Sequence, residues 1–218
     1  MTSYLLVTGT DTGVGKTVAT GVLALRHQTR GVRVAMVKPV QTGVSSGEPG
    51  DADAVAALSG VPTLELVRLP EPLAPAQAAV RAGRQLPTVQ QSADAIAEID
   101  ADVVLVEGAG GVTVALDGTG NTLIDLGRAL EWYGEVEVVV VCRSGLGTLN
   151  HTRLTVDAVR RAGLTVTGLV IGSWPDPAPL SDRLNRDDLP RLTGAPLLAV
   201  LPAGLGTMSQ AALRAAGL

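Results

Sequence analysis

Residues 4–17, YLLVTGTDTGVGKT, constrain this chain more than any other stretch. Residues 4–7 are a short apolar run of the kind that forms a buried parallel strand, and residues 9–16 are a glycine-rich turn that opens a helix. A strand that feeds such a turn into a helix holds a phosphate. The first helical turn has backbone N–H groups without intrahelical partners, a positive dipole end, and glycines that let a phosphate approach closely. Thr12, Gly13, Val14 and Gly15 are expected to supply that backbone, Lys16 a point charge for the β- and γ-phosphates, and Thr17 a hydroxyl for Mg²⁺. The loop is a variant of the usual G-x-x-x-x-G-K-T: Thr10 stands where the first glycine is expected, and Gly9 comes one residue earlier.

Lysine usage points the same way. The chain has 15 arginines and only two lysines, Lys16 and Lys38. Where arginine supplies the surface charge, a retained lysine marks a position that needs a compact, flexible ammonium. Lys16 is already placed on phosphate, and Lys38 is the other position of this kind.

With 218 residues, 46% of them hydrophobic, and no Pro/Gly/Ser-rich linker, residues 1–218 read as one well-buried α/β domain. The net charge of −4 without a basic cluster disfavours nucleic acid and anionic membrane as partners. The N-terminus enters the first strand without a charged-then-apolar leader, and no apolar run nears the roughly 18 residues of a membrane span, so a cytoplasmic location is expected. Cys142, the single cysteine, can build neither a disulfide nor a thiolate metal cluster and reads as a small core residue.

Further strands are expected at 34–37, 103–106, 136–142, 167–171 and 197–201, alternating with helices at 17–29, 51–58, 75–82, 88–99, 123–133, 149–162, 183–192 and 209–216. Unusual residues cluster after the strands: KPVQTG at 38–43, EGAGG at 107–111, RSGLGTLNH at 143–151, GSWP at 172–175 and PAG at 202–204. This pattern specifies a doubly wound, mostly parallel sheet of about seven strands, of the P-loop NTPase type, with one active edge. Glu107 follows four apolar residues, where a carboxylate is costly unless it meets a cation; Mg²⁺ on the nucleotide phosphates is the economical partner. Asp51 and Asp53 share the first turn of a helix, and spacing does not say which faces a metal. His27 reads as a surface residue and His151 as a cap or scaffold, and no triad for hydrolysis is visible.

Taken together, GTDTGVGKT at 9–17, KPVQTG at 38–43, the Asp51 region, VEGAGG at 106–111 and LGTLNH at 146–151 resemble the dethiobiotin synthetase family across essentially the whole chain. The resemblance implies an ATP- and Mg²⁺-dependent cyclo-ligase that joins CO₂ to 7,8-diaminononanoate in biotin biosynthesis. It implies that Lys16 and Lys38 are catalytic and that Mg²⁺ is held by Thr17, Asp51 and Glu107. The nucleotide would also meet Gly108, Ala109 and Gly110, with Gly172, Ser173, Pro202, Ala203 and Gly204 lining the base. The diamine would meet Thr12, Thr42 and the Gly111–Val112 backbone. Its carboxylate tail would reach Leu146, Gly147, Thr148 and Asn150 of a neighbouring subunit, which implies a homodimer with shared sites. Many members of the family read adenine with an asparagine after the strand at 167–171, where this chain has Gly172-Ser173; weaker base selectivity and use of other nucleoside triphosphates are therefore expected. The rival reading is a partition- or division-type switch ATPase acting on a protein partner, but its extra lysine early in the loop does not occur between Met1 and Val14.

Overall fold

The computed structural model describes residues 2–215. Its strands are β1 (Ser3–Gly9), β2 (Val34–Thr42), β3 (Thr63–Leu69), β4 (Val103–Gly111), β5 (Glu135–Cys142), β6 (Thr165–Trp174) and β7 (Leu197–Pro202). The helices are α1 (Lys16–Gln28), α2 (Asp51–Ser59), α3 (Pro75–Arg81), α4 (Val89–Ala97), α5 (Leu123–Leu130), α6 (Thr148–Arg161), α7 (Leu180–Thr193) and α8 (Gln210–Ala215). Ala216, the last residue of the expected terminal helix, lies outside the described residues.

All pairings in the seven-stranded sheet are parallel, in the order β3-β2-β4-β1-β5-β6-β7. Alternate residues of each strand bury themselves on opposite faces. Tyr4, Leu6, Val37, Val104 and Val106 pack beneath α4, α5 and α6, whereas Leu5, Val7, Met36 and Leu105 pack beneath α1 and α2. The interior is almost wholly aliphatic, consistent with a chain that has no phenylalanine. Cys142 belongs to it as expected: it is buried, and burial pushes its thiol up to about 11.

Several boundaries differ from the sequence reading, among them those of β2 and β6. β2 does not end at Val37: its pairing with β4 stops there, but it continues to Thr42 against β3, an edge strand that the sequence reading left out. Pro39 is tolerated because it stands beyond the last β2–β4 pair, where a missing N–H breaks no ladder on that side. Gly172, Ser173 and Trp174 are strand residues of β6, not a loop beyond it.

After β4 the chain is tied down by Asp117, which is 1% exposed. Its carboxylate accepts from Thr119 N and Oγ1, Asn121 N and Nδ2, and Val89 N at the start of α4. Burial alone would raise its pKa; the Asn121 and Thr119 donors outweigh burial and hold it down at about 2. A depressed carboxylate stabilises the fold above its unfolded value and loses that contribution as pH falls through its folded value. Asp117→Asn should therefore cost about 2 kcal/mol near neutrality, with the difference from wild type closing between about pH 4 and pH 2. Urea unfolding across that range tests it; a pH-independent difference would contradict the assignment.

Candidate active site

Register explains how the charged residues meet. Val37 pairs with Val106, so Lys38 and Glu107 are the next residues on two strands that part at that point. By the period-2 rule both point to the face of Met36 and Leu105, which is the face of α1 and α2. Val7 pairs with Glu107, so β1 releases the phosphate loop beside them. α1 begins at Lys16, and Gly15 before it has a left-handed φ of 92° that only glycine adopts readily.

The result is a tight polar cluster. Lys38 is 3% exposed and Glu107 0%. Lys38 Nζ lies 2.7 Å from Asp51 Oδ2 and 2.8 Å from Glu107 Oε1, and donates to Gly108 O at 3.0 Å. The Thr17 hydroxyl lies 2.9 Å from Asp51 Oδ1 and 3.1 Å from Glu107 Oε1. Burial pulls the Lys38 ammonium down, but Glu107 and Asp51 outweigh it and the net shift is upward. Asp51 is moved up by burial and further down by Lys38, so it stays ionised. Lys16 is lowered, first by burial and then by the charge of Lys38, which means the two ammoniums feel each other. Its Nζ donates to Asp11 O at 2.9 Å within the loop.

This geometry separates the two acids of the first turn of α2. Asp51 faces the cluster; Asp53 accepts from Gly50 N at 2.8 Å and acts as a cap. Thr17, Asp51 and Glu107 are hard oxygen donors of the kind Mg²⁺ takes, and Glu107 Oε2 is buried without a hydrogen-bond partner, so the donor set fits that ion. Among the described residues no group of three or more His, Cys, Asp or Glu could hold a metal.

A cleft of about 760 Å³ opens over the cluster. Thr12, Gly13, Gly15, Lys16, Thr17, Lys38, Thr42, Asp51, Glu107, Ala109 and Gly110 line it, so most of the expected site residues meet. Its far wall, Pro72–Pro75 together with Gln41 and Val114, was not foreseen from sequence. Val14 and Val112 bury their side chains in the core and can contribute only backbone. Gly108 is held close by Leu123, 2.8 Å from where a Cβ would stand. Gly111 passes Gly9 O at 3.7 Å by the same measure.

Two expectations need correction. Gly172 is not an open position awaiting an amide: a Cβ there would lie 2.0 Å from Val14 O and 3.1 Å from Gly15 Cα. The residue is glycine because the phosphate loop rests on it. Ser173 is exposed beside it, and Ala203 N donates to Trp174 O, bringing residues 202–204 to the same corner. Thr148, expected at the helix start that receives the tail carboxylate, offers no open donor: it is fully buried, its N–H donates to Gly145 O at 3.3 Å and its hydroxyl to Arg143 O at 2.7 Å. Leu146, Gly147, Thr148 and Asn150 do not line the cleft of the same protomer. Arg143 also pairs with Asp11 of the phosphate loop at 2.6 Å, a link no local motif announces.

Comparison with known proteins places this geometry. A family model described as an AAA domain matches residues 3–210. A protein of Rhodococcus jostii (strain RHA1) named "ATP-dependent dethiobiotin synthetase BioD" is 49% identical over 217 residues, covering 98% of this chain and 92% of that protein. The protein of the same name from Saccharopolyspora erythraea is 51% identical over 205 residues, covering 93% and 88%. The chain belongs to the dethiobiotin synthetase family. Solved structures similar at lower identity establish the fold alone. The septum site-determining protein MinD of Pyrococcus horikoshii OT3 has a TM-score of 0.59 at 18% identity, covering 98% of this chain and 89% of that one. Chloroplast FtsY of Physcomitrella patens has 0.55 at 21%, covering 94% and 60%. The two lysines of this family member stand in the cleft rather than on the surface.

Proposed function

We propose that this chain is an ATP-dependent dethiobiotin synthetase, joining CO₂ to 7,8-diaminononanoate and closing a cyclic urea at the expense of ATP. The observation that carries the reading is the convergence of Lys16 and Lys38, from two separate elements, beside Thr17, Asp51 and Glu107. The first amine bonds to CO₂ and loses a proton, giving a carbamate. Its oxygen attacks the γ-phosphorus and ADP leaves. The second amine then attacks the carbamoyl carbon, phosphate leaves, and the ring is closed. Each stage gathers negative charge at one point, which fixed cations stabilise without reorganisation. Lys16 serves the β,γ-phosphates and Lys38 the carbamate and transferring phosphoryl group. Mg²⁺ held by Thr17, Asp51 and Glu107 would neutralise phosphate charge and polarise the γ-phosphoryl group.

Thr12, Thr42 and the Gly111–Val112 backbone bind the diamine in this reading. Its tail carboxylate goes to the first turn of α6 in a second copy of the chain, where the exposed Asn150 side-chain amide joins the first-turn N–H groups of Leu149 and Asn150. Support for a homodimer comes from the placement of residues 146–150 outside the cleft and from Leu146, 82% exposed at that edge. An ATP-consuming ligase works where ATP is kept, so the reading includes a cytoplasmic location; among the described residues no helix is long and apolar enough to cross a membrane.

The test is phosphate release from ATP with and without the diamine and bicarbonate, with dethiobiotin identified by mass. Turnover that ignores the diamine would favour a switch ATPase. The same assay run with ATP, GTP, CTP and UTP measures base preference, which the backbone-lined corner at 172–174 and 202–204 should leave weak. Sharing of sites has its own test. Asn150→Ala and Lys38→Gln variants, each weak or inactive alone, should recover up to about a quarter of wild-type activity when mixed and re-associated, since one site in each mixed dimer is intact. No recovery in demonstrated mixed dimers would mean that each site is self-contained.

A further inference from the structure

The strand missed in the sequence, β3, carries a side chain whose contacts reach the joint that leads into Asp51, the acid that faces the cluster. Arg68 stands opposite Gln41 in the β2–β3 register, and Glu65 stands opposite Lys38. The Arg68 guanidinium is bidentate on Glu65, with Nε to Oε2 at 2.7 Å and Nη2 to Oε1 at 2.9 Å. Its Nη1 donates to the carbonyls of Ser45 and Glu48, and Nη2 also donates to Asp53 Oδ2 at 3.3 Å. Of these five contacts two anchor the planar fork on β3 and three hold the segment between β2 and α2 and the first turn of α2. That segment ends at Gly50, immediately before Asp51.

Asp51 is held at the same joint from the other side. Its N–H donates to Gln41 Oε1 at 2.9 Å, and Gln41 is buried in the cleft wall directly opposite Arg68. A Cβ at Gly50 would lie 2.5 Å from Glu65 Oε1, 3.1 Å from Arg68 Nη2 and 3.1 Å from Gln41 Oε1, so admitting a side chain shifts the ends of the groups that form this joint. Its φ of −104° is open to any residue, so the effect of a side chain there is that contact alone.

We propose that Arg68 is a positioning residue for the reaction, fixing the start of α2 so that the Asp51 carboxylate points at Thr17 and Lys38. It touches neither substrate nor nucleotide. The proposal rests on the reading of Asp51 as a metal-side carboxylate. Lysine cannot replace it, because an ammonium has three donors and no planar fork to span Glu65 and two carbonyls.

The experiment measures binding of a non-hydrolysable ATP analogue to the full chain by calorimetry, once in EDTA and once in Mg²⁺. The quantity read is the gain in affinity that Mg²⁺ confers. Arg68→Gln and Arg68→Lys should reduce that gain by about tenfold or more while leaving metal-free binding within about twofold. Gly50→Ala, which displaces the same joint without removing a charge, should give the same signature. Arg33→Ala, which breaks an exposed pair with Asp100 and Asp102 away from the cleft, should leave both affinities unchanged. Equal losses with and without metal, or lower thermal stability with the gain intact, would overturn the proposal and leave Arg68 a merely structural residue. Asp51→Asn separates the two layers of the argument. If it leaves the Mg²⁺ gain intact, the reading of Asp51 falls; if it abolishes the gain and the Arg68 variants do not, only the positioning role falls.

Discussion

Gly172→Ala and Gly172→Asn should each abolish binding of every nucleoside triphosphate, whatever its base, with a loss of at least about a hundredfold. The cause is backbone on backbone. A Cβ at 172 would stand 2.0 Å from Val14 O, and a Cβ at Gly15 would stand 2.5 Å from Gly172 O. Neither partner is a flexible side chain that could step aside. Val141 Cγ1, at 2.9 Å from the same Cβ position, closes the remaining direction. The phosphate loop would have to lift by about an ångström, enough to misdirect the N–H groups that receive the β-phosphate. Fluorescence or calorimetric titration with ATP and CTP reads the loss, and circular dichroism checks that the sheet remains. Normal binding of either nucleotide to Gly172→Ala would show that the two glycines do not pack as described. A base-reading amide therefore has to be built one residue later, at exposed Ser173; Ser173→Asn is the variant that should move preference toward ATP.

The same glycine illustrates what the sequence could reveal. The aliphatic runs at 4–7, 103–106 and 136–142 are parallel strands because a strand covered on both faces has no polar side to show, and that signal is local. Lys38 and Glu107 stood out for a similar reason: each is a charged residue at the end of an apolar run, and the structure brings them within 2.8 Å of each other. β3 did not, because Thr63–Leu69 carries Glu65 and Arg68 on an edge strand, where they pair with each other and Arg68 reaches Ser45, Glu48 and Asp53 on the preceding loop and helix. The choice between Asp51 and Asp53 could not be made from a shared first turn either. Which of the two faces Lys38 depends on Gln41 and Arg68, which lie on other elements and hold Asp51 N and Asp53 respectively. The meaning of Gly172 was misread for want of a long-range contact: a missing side chain looks the same in sequence whether it opens a pocket or lets two backbones touch.

Lys38→Gln should abolish ring closure, by on the order of a thousandfold, while changing nucleotide affinity by less than about tenfold. Lys16 is the first residue of α1 and belongs to the phosphate loop itself, so triphosphate binding rests on it and on the loop N–H groups. Lys38 comes from β2 and reaches the cluster from the other side, 2.7 Å from Asp51 and 2.8 Å from Glu107. Its ammonium stays charged because those two carboxylates outweigh the cost of burial. Charge that develops on the carbamate and the transferring phosphoryl group needs that cation in the transition state more than in the ground state, so its loss falls on kcat. Glutamine fills the space but offers only a neutral amide. Lys38→Arg should not rescue, since a planar guanidinium at a position 3% exposed has to displace Asp51 or Glu107 to fit. The measurements are dethiobiotin formation and ATP-analogue binding on wild type, Lys38→Gln and Lys16→Gln. Lys16→Gln should lose nucleotide affinity far more than Lys38→Gln; equal losses in the two variants would sink this division of labour between the only lysines in the chain.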